Sequence, residues 1–215
     1  MLQSFGMFGA IFLLVQFLQF ARFYSPLEAG LAVLPWTLAP MFVAPIAGAL
    51  SDRIGGGLLM GTGLALQAAG LAWIALVSSA SVEYVSLIVP FIISGVGMGL
   101  YFAPMANVVL SAVKPTEEGQ ASGASGAIRE LGGVLGVAVL ASVFAREGSY
   151  LSPQAFVDGM VPAVMIGAIV VGLGAVTAFA IPRVALGHPA SPSPARSIEA
   201  DGSVAVAPAY ITVDD

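Results

Sequence analysis

The sequence predicts an all-α, polytopic membrane protein with six transmembrane helices, and three observations carry that prediction. Only 9% of its 215 residues are charged, against about a quarter in soluble domains. Mean hydropathy is +0.97. Uncharged stretches recur at 2–21, 29–50, 54–82, 84–113, 131–145 and 159–182, and most reach the roughly 20 residues needed to cross about 30 Å of hydrocarbon. Seven basic and twelve acidic residues are too few to coat a soluble core of this size.

The first helix is expected at 3–22. It has no basic region before its apolar run and five further apolar segments follow, so it reads as a retained span and not as a signal peptide. The second, at 30–50, carries Pro35, Pro40 and Pro45. Each removes an intrahelical hydrogen bond, which predicts a bent or locally irregular helix. The third, at 57–79, is punctuated by Gly61, Gly63 and Gly70, and the fourth, at 86–109, spaces Gly95 and Gly99 as GxxxG. Such small residues let membrane helices approach closely. Pro90 and Pro104 mark the fourth helix, and Pro115 is expected to help end it.

The fifth uncharged run, 131–145, is short. It reaches spanning length only if the helix starts near Ser122 and takes Arg129 and Glu130 into its first turns, where a long basic side chain reaches the headgroups. That gives 122–146, with Gly132 and Gly136 again spaced as GxxxG. The sixth helix is expected at 158–182. Residues 1–182 thus form one six-helix bundle, and 183–215, rich in proline, serine and alanine, read as a disordered cytoplasmic tail with no assigned chemistry. His188 lies in that tail.

Basic residues set the orientation. With the Arg53 connection inside, Lys114, Arg129, Arg183 and Arg196 fall on the same side and Arg22 and Arg146 outside. This is a positive-inside pattern that puts both termini in the cytoplasm of a multi-pass cell-membrane protein.

The chemistry-bearing inventory is thin. With no cysteine and one histidine, thiolate or histidine metal sites and disulfides are excluded, and no cofactor is expected. A net charge of −5 argues against nucleic acid as a partner. Ser94-Gly-Val-Gly-Met-Gly-Leu100 superficially suggests a dinucleotide loop, but it sits within an uncharged run with no preceding strand. Gln16 and Gln19 share a face of the first helix, and Trp36, Gln67, Tyr101 and Asn107 add isolated polar atoms. Such groups line an aqueous pathway or bond between helices. No acid, base or histidine is expected near the middle of any span, and no set of residues suits catalysis, so the protein is expected not to be an enzyme.

Between the second and third helices stands Gly48-Ala-Leu-Ser-Asp-Arg-Ile-Gly-Gly56. Its acid and base sit in a tight cytoplasmic connection where Gly55 to Gly57 permit a turn and Asp52 is placed to accept hydrogen bonds near the next helix start. Arg53 is placed to meet an acid or a lipid phosphate. The spacing of Gly48, Asp52, Arg53 and Gly55 resembles the cytoplasmic loop motif of the major facilitator superfamily. Tyr24-Ser-Pro-Leu-Glu-Ala-Gly-Leu-Ala-Val-Leu-Pro35 is similar to the start of the second helix in the C-terminal bundle of fourteen-helix drug:proton antiporters. Ala121 to Ala138, with Ile128-Arg-Glu-Leu-Gly-Gly133 at its centre, is similar to the start of the fifth.

The resemblance covers about 5–182 and implies half of a major facilitator fold, working by alternating access between two bundles. It implies a gate role for Gly48, Asp52, Arg53 and Gly55, and a packing or conformational role for Arg129 and Gly132. It also implies efflux of a small amphipathic substrate, protons as coupling ion and a complementary N-terminal bundle as partner. Gly56-Gly57-Leu58 stand where the motif normally carries basic residues. The other reading is a noncatalytic membrane module that assembles with another membrane protein.

Overall fold

The computed structural model describes residues 1–111 and 113–180, without the side chains of Asp52, Arg53 and Ser111. The expected tail, with His188, lies outside the described residues. Every regular element described is helical: α1 (Leu2–Phe20), α2 (Pro26–Ala32), α3 (Leu34–Ile54), α4 (Gly56–Val77), α5 (Val85–Ser111), a 3-10 turn at Pro115–Glu117 that runs into α6 (Glu118–Glu147), and α7 (Pro153–Phe179). Among the described residues six spans are long and apolar enough to cross a membrane, α2 and α3 together forming the second.

The largest contacts run in series, α3 on α5, α5 on α4, α4 on α7, α7 on α1 and α1 on α6. Exchanging the first three spans for the last three maps this series onto itself, as a pair of structural repeats does. The second and fifth spans, at the ends of the series, bury the smallest share of themselves.

Glycines set the close approaches. A methyl group at Gly99 would stand 3.0 Å from Pro40 Cα, one at Gly63 2.6 Å from the Gly97 carbonyl oxygen, and one at Gly132 2.5 Å from the Met1 carbonyl oxygen. With little hydrophobic force between helices in lipid, this intimacy supplies the packing energy. Gly95 and Gly99 thereby seat α5 on α3, and Gly132 and Gly136 seat α6 on α1.

The second span is interrupted at Val33, as its prolines predict. The Trp36 N–H turns to the Val33 carbonyl at 3.0 Å, and the Tyr84 hydroxyl donates to the Ala32 carbonyl at 2.9 Å. A buried carbonyl displaced from its ladder thus finds another donor. Burial pushes the Tyr84 phenol up from its ordinary pKa, which keeps it a donor.

Three helix starts lie four or five residues before their expected positions. The second span starts at Pro26 because Ser25 and Glu28 form a capping box, Ser25 N–H donating to Glu28 at 2.8 Å and Glu28 N–H to Ser25 Oγ at 3.3 Å. The sixth starts at Pro153 because Ser152 Oγ accepts from the Ala155 N–H at 3.1 Å. Asp158, expected as the first residue of this helix, therefore lies more than a turn inside it and accepts from Gln154 Nε2 at 2.8 Å. The fifth starts at Glu118, because Pro115 opens the 3-10 turn that launches α6 in addition to following the end of α5.

The earlier start lengthens the helix before the charged pair. Arg129 and Glu130 sit eleven and twelve residues into Glu118–Glu147, about 16–18 Å from its start at 1.5 Å per residue, instead of in its first turns.

Candidate functional site

The α3–α4 connection is a single residue. Gly55 holds φ 93° and ψ 135°, a conformation that residues with a Cβ rarely adopt. Asp52 and Arg53, expected in a loop, belong to the last turn of α3; their side chains lie outside the described residues. Gly48 is one further turn back, half-buried, and a methyl group there would meet nothing within 4 Å. A methyl group at Gly56 would stand 2.6 Å from Val108 Cγ2, so the turn rests on the last turns of α5. The motif is thus a one-residue corner with one open glycine a turn before it.

Further along this end of the bundle lies a cleft of about 330 Å³ between α5 and α6. Its α6 wall is Ser122, Ser125, Gly126 and Arg129, a spacing of i, i+3, i+4 and i+7 that puts all four on one helix face. The α5 wall repeats the spacing with Phe102, Met105, Ala106 and Val109. One wall is small and polar, the other apolar and aromatic. Arg129 Nη2 lies 3.3 Å from Glu130 Oε1, and the arginine side chain is 43% exposed, so the ion pair leaves most of its donors free to face the cleft. Glu130 turns the other way, toward an apolar groove of about 500 Å³ walled by Phe8, Gly133 and Val134.

The other expected pathway residues do not gather here. Gln16 donates from Nε2 to the Phe12 carbonyl at 3.1 Å and accepts from the Tyr150 hydroxyl. That places it at the opposite end, beside a cluster of Phe20, Phe144, Tyr150 and Phe156 whose Phe144 and Phe156 rings are 4.7 Å apart. Gln19 is half-buried on the same helix. Trp36 is fully buried and stacks on Phe91 at 6.1 Å, with no partner for its indole N–H. Tyr101 is half-buried and meets Phe102 edge-on at 5.5 Å, and Asn107 is exposed on α5. Gly132 is buried against Met1 and packs helices together.

Gln67, at the middle of α4, accepts from Gln3 Nε2 at 3.5 Å, and Ser4 donates to Gln3 at 3.2 Å. All three side chains are buried. Gln3 and Ser4 were not singled out from the sequence, because polar residues near the start of an apolar run read as an interfacial end. Ser125, Phe102 and Met105 were missed as well, although their helical spacing was legible.

Comparison with known proteins follows from this architecture. A model of the Major Facilitator Superfamily matches residues 1–210. The uncharacterized transporter YebQ of Escherichia coli (strain K12) is 36% identical over 134 residues, 61% of this chain and 29% of its own length. Multidrug resistance protein Stp of Mycobacterium tuberculosis is 36% identical over 141 residues, 66% of this chain and 26% of its own. Riboflavin transporter RibZ of Clostridioides difficile is 32% identical over 139 residues, 65% and 30%. The chain spans less than a third of each of these relatives. With six membrane-length helices inside the matched region, the chain belongs to the Major Facilitator Superfamily and is a multi-pass membrane protein of that transporter family.

Proposed function

We propose that this chain is the C-terminal-type six-helix bundle of a proton-coupled exporter of drugs or other small amphipathic compounds. It works by alternating access beside a complementary N-terminal bundle that supplies the proton-binding acids. One observation supports the half-transporter reading above others. Exposed on α6, within a spanning helix, are Ser122, Gly123, Ala127 and Glu130 beside the apolar Ile128 and Leu131, whereas the large exposed side chains of α4 are all apolar, Leu58, Leu66, Trp73 and Leu76. Hydrocarbon solvates the α4 face but not the serine and glutamate of α6, which supports water or another protein beside that part of α6. Among relatives, Stp is named for multidrug resistance and LfrA of Mycolicibacterium smegmatis as a multidrug efflux pump, which supports the substrate class.

In this reading Gly48, Asp52, Arg53 and Gly55 close and release the cytoplasmic side, where both termini lie. Proton and substrate favour opposite conformations. The test is efflux driven by a proton gradient in sealed membrane vesicles, comparing the chain alone with the chain co-expressed with an N-terminal bundle, at equal insertion. Transport only in the combined sample is the expected result. Robust transport by the chain alone would overturn the need for a partner, and silence in both would favour a noncatalytic membrane module.

A further inference from the structure

The geometry points to the cleft between α5 and α6 as a binding site for an amphipathic organic anion, with Arg129 as the group that recognises the negative charge. The inference rests on the transporter reading and narrows it, naming one ligand class for this bundle.

The two walls dictate the class. Arg129 presents a guanidinium, and its ion pair with the adjacent Glu130 runs out of the cleft toward a different helix face. Its remaining donors suit a carboxylate, sulfonate or phosphate, which a guanidinium engages with two parallel N–H groups. Ser122 and Ser125 lie seven and four residues before Arg129 on the same face and add hydroxyl donors in line with it. Among the described residues no acid lines the cleft, so none of its described wall competes for the anion. Opposite stand Phe102, Met105 and Ala106, an aromatic and thioether surface for a flat apolar body. A methyl group at Gly126 would meet nothing within 4 Å, so the glycine keeps the floor of the cleft open. A volume of about 330 Å³ lies at the small end of the range for ligand pockets.

An oxyanion on an apolar body arrives either as a dissolved amphiphile or as the headgroup of an anionic lipid; the proposal is the dissolved form. The full chain is reconstituted in phosphatidylcholine nanodiscs, and binding of 8-anilinonaphthalene-1-sulfonate is titrated against the uncharged N-phenyl-1-naphthylamine. Arg129→Gln is expected to weaken the sulfonate about tenfold, the equivalent of one charge-assisted contact, and to leave the neutral probe within about twofold. Arg129→Lys is expected to recover part of the loss. Gly126→Leu, which puts a side chain into the cleft from a position where a methyl group meets nothing within 4 Å, is expected to weaken both probes while circular dichroism and the elution profile stay unchanged. Equal effects of Arg129→Gln on both probes, or none on either, would overturn the site. So would loss of sulfonate binding in wild-type discs containing phosphatidylglycerol, since the lipid headgroup would then be the occupant. Binding needs no second bundle and no proton gradient, so failure here is separable from failure of the efflux experiment.

Discussion

α4 and α6 are both glycine-punctuated membrane helices, yet they use their glycines in opposite ways. Gly61, Gly63 and Gly70 of α4 each stand against a neighbouring helix, at Phe179, Gly97 and Ser94. On α6, Gly132 and Gly136 do the same against α1, but Gly119, Gly123 and Gly126 face open space. The outward faces differ in the same sense, leucine and tryptophan on α4 and a mixture of serine, glycine and glutamate with Ile128 and Leu131 on the first half of α6. Small residues thus do two things in one bundle: they let helices touch, and they leave part of a helix face open. Spacing alone does not separate the two, because both stripes follow the helical repeat.

The sharpest way to break the comparison is to enlarge one glycine of each kind. Gly97→Leu on α5 would drive a side chain into the backbone of α4, where even a methyl group stands 3.0 Å from Gln67 Cα. A loss of about 3 kcal/mol or more, at the upper end of overpacking, is expected in denaturant unfolding of the detergent-solubilised protein. Gly123→Leu is expected to change stability by no more than about 0.5 kcal/mol. A large loss at Gly123 would mean that the α6 wall is already packed.

The two motif glycines offer a smaller version of the same contrast. Gly55→Ala forces a Cβ into φ 93° and is expected to cost about 1–3 kcal/mol. Gly48→Ala sits in a helix with space before it and is expected to be neutral or to stabilise by about 0.5–1 kcal/mol. If transport by the assembled protein falls with Gly48→Ala while stability holds, the open space is used by a moving partner. Unchanged transport would remove Gly48 from the gate.

At the Tyr150 end, ring packing and hydrogen bonding are separable. Tyr150→Phe removes the donor to Gln16 and keeps the ring between Phe144 and Phe156. It is expected to cost about 1 kcal/mol, and Tyr150→Ala more, measured as thermal unfolding of α1 from the α6–α7 loop. Smallest is the Gln3–Gln67 pair. A double-mutant cycle with leucine at both positions is expected to give a coupling near 0.6 kcal/mol, the average for interhelical polar contacts in a membrane protein, because their contact is long at 3.5 Å.

How far the sequence reached is visible in particular residues. The spans were legible because each backbone polar group must be satisfied inside the bilayer, which leaves long apolar helices as the solution for a chain of this composition. The break at Val33 was legible in Pro35 and Pro40, and the seats of Gly95, Gly99, Gly132 and Gly136 in their spacing. Boundaries were less so. Ser25 with Glu28, Ser152 before Pro153, and Pro115 are start signals that the apolar runs overshadowed.

Composition and periodicity determined by themselves that this chain is a six-span helical bundle, since hydrophobic length and small-residue spacing are properties of one helix at a time. The tertiary structure decided the rest: that Arg129 faces α5 while Glu130 faces away, that Trp36 and Gln67 are core and not pathway, and that Gln16 belongs to the far end. Those distinctions depend on which neighbour covers each face of a helix. In a bundle where nearly every surface is apolar, the pattern along the chain does not encode whether a face meets lipid, a neighbouring helix or an aqueous cleft.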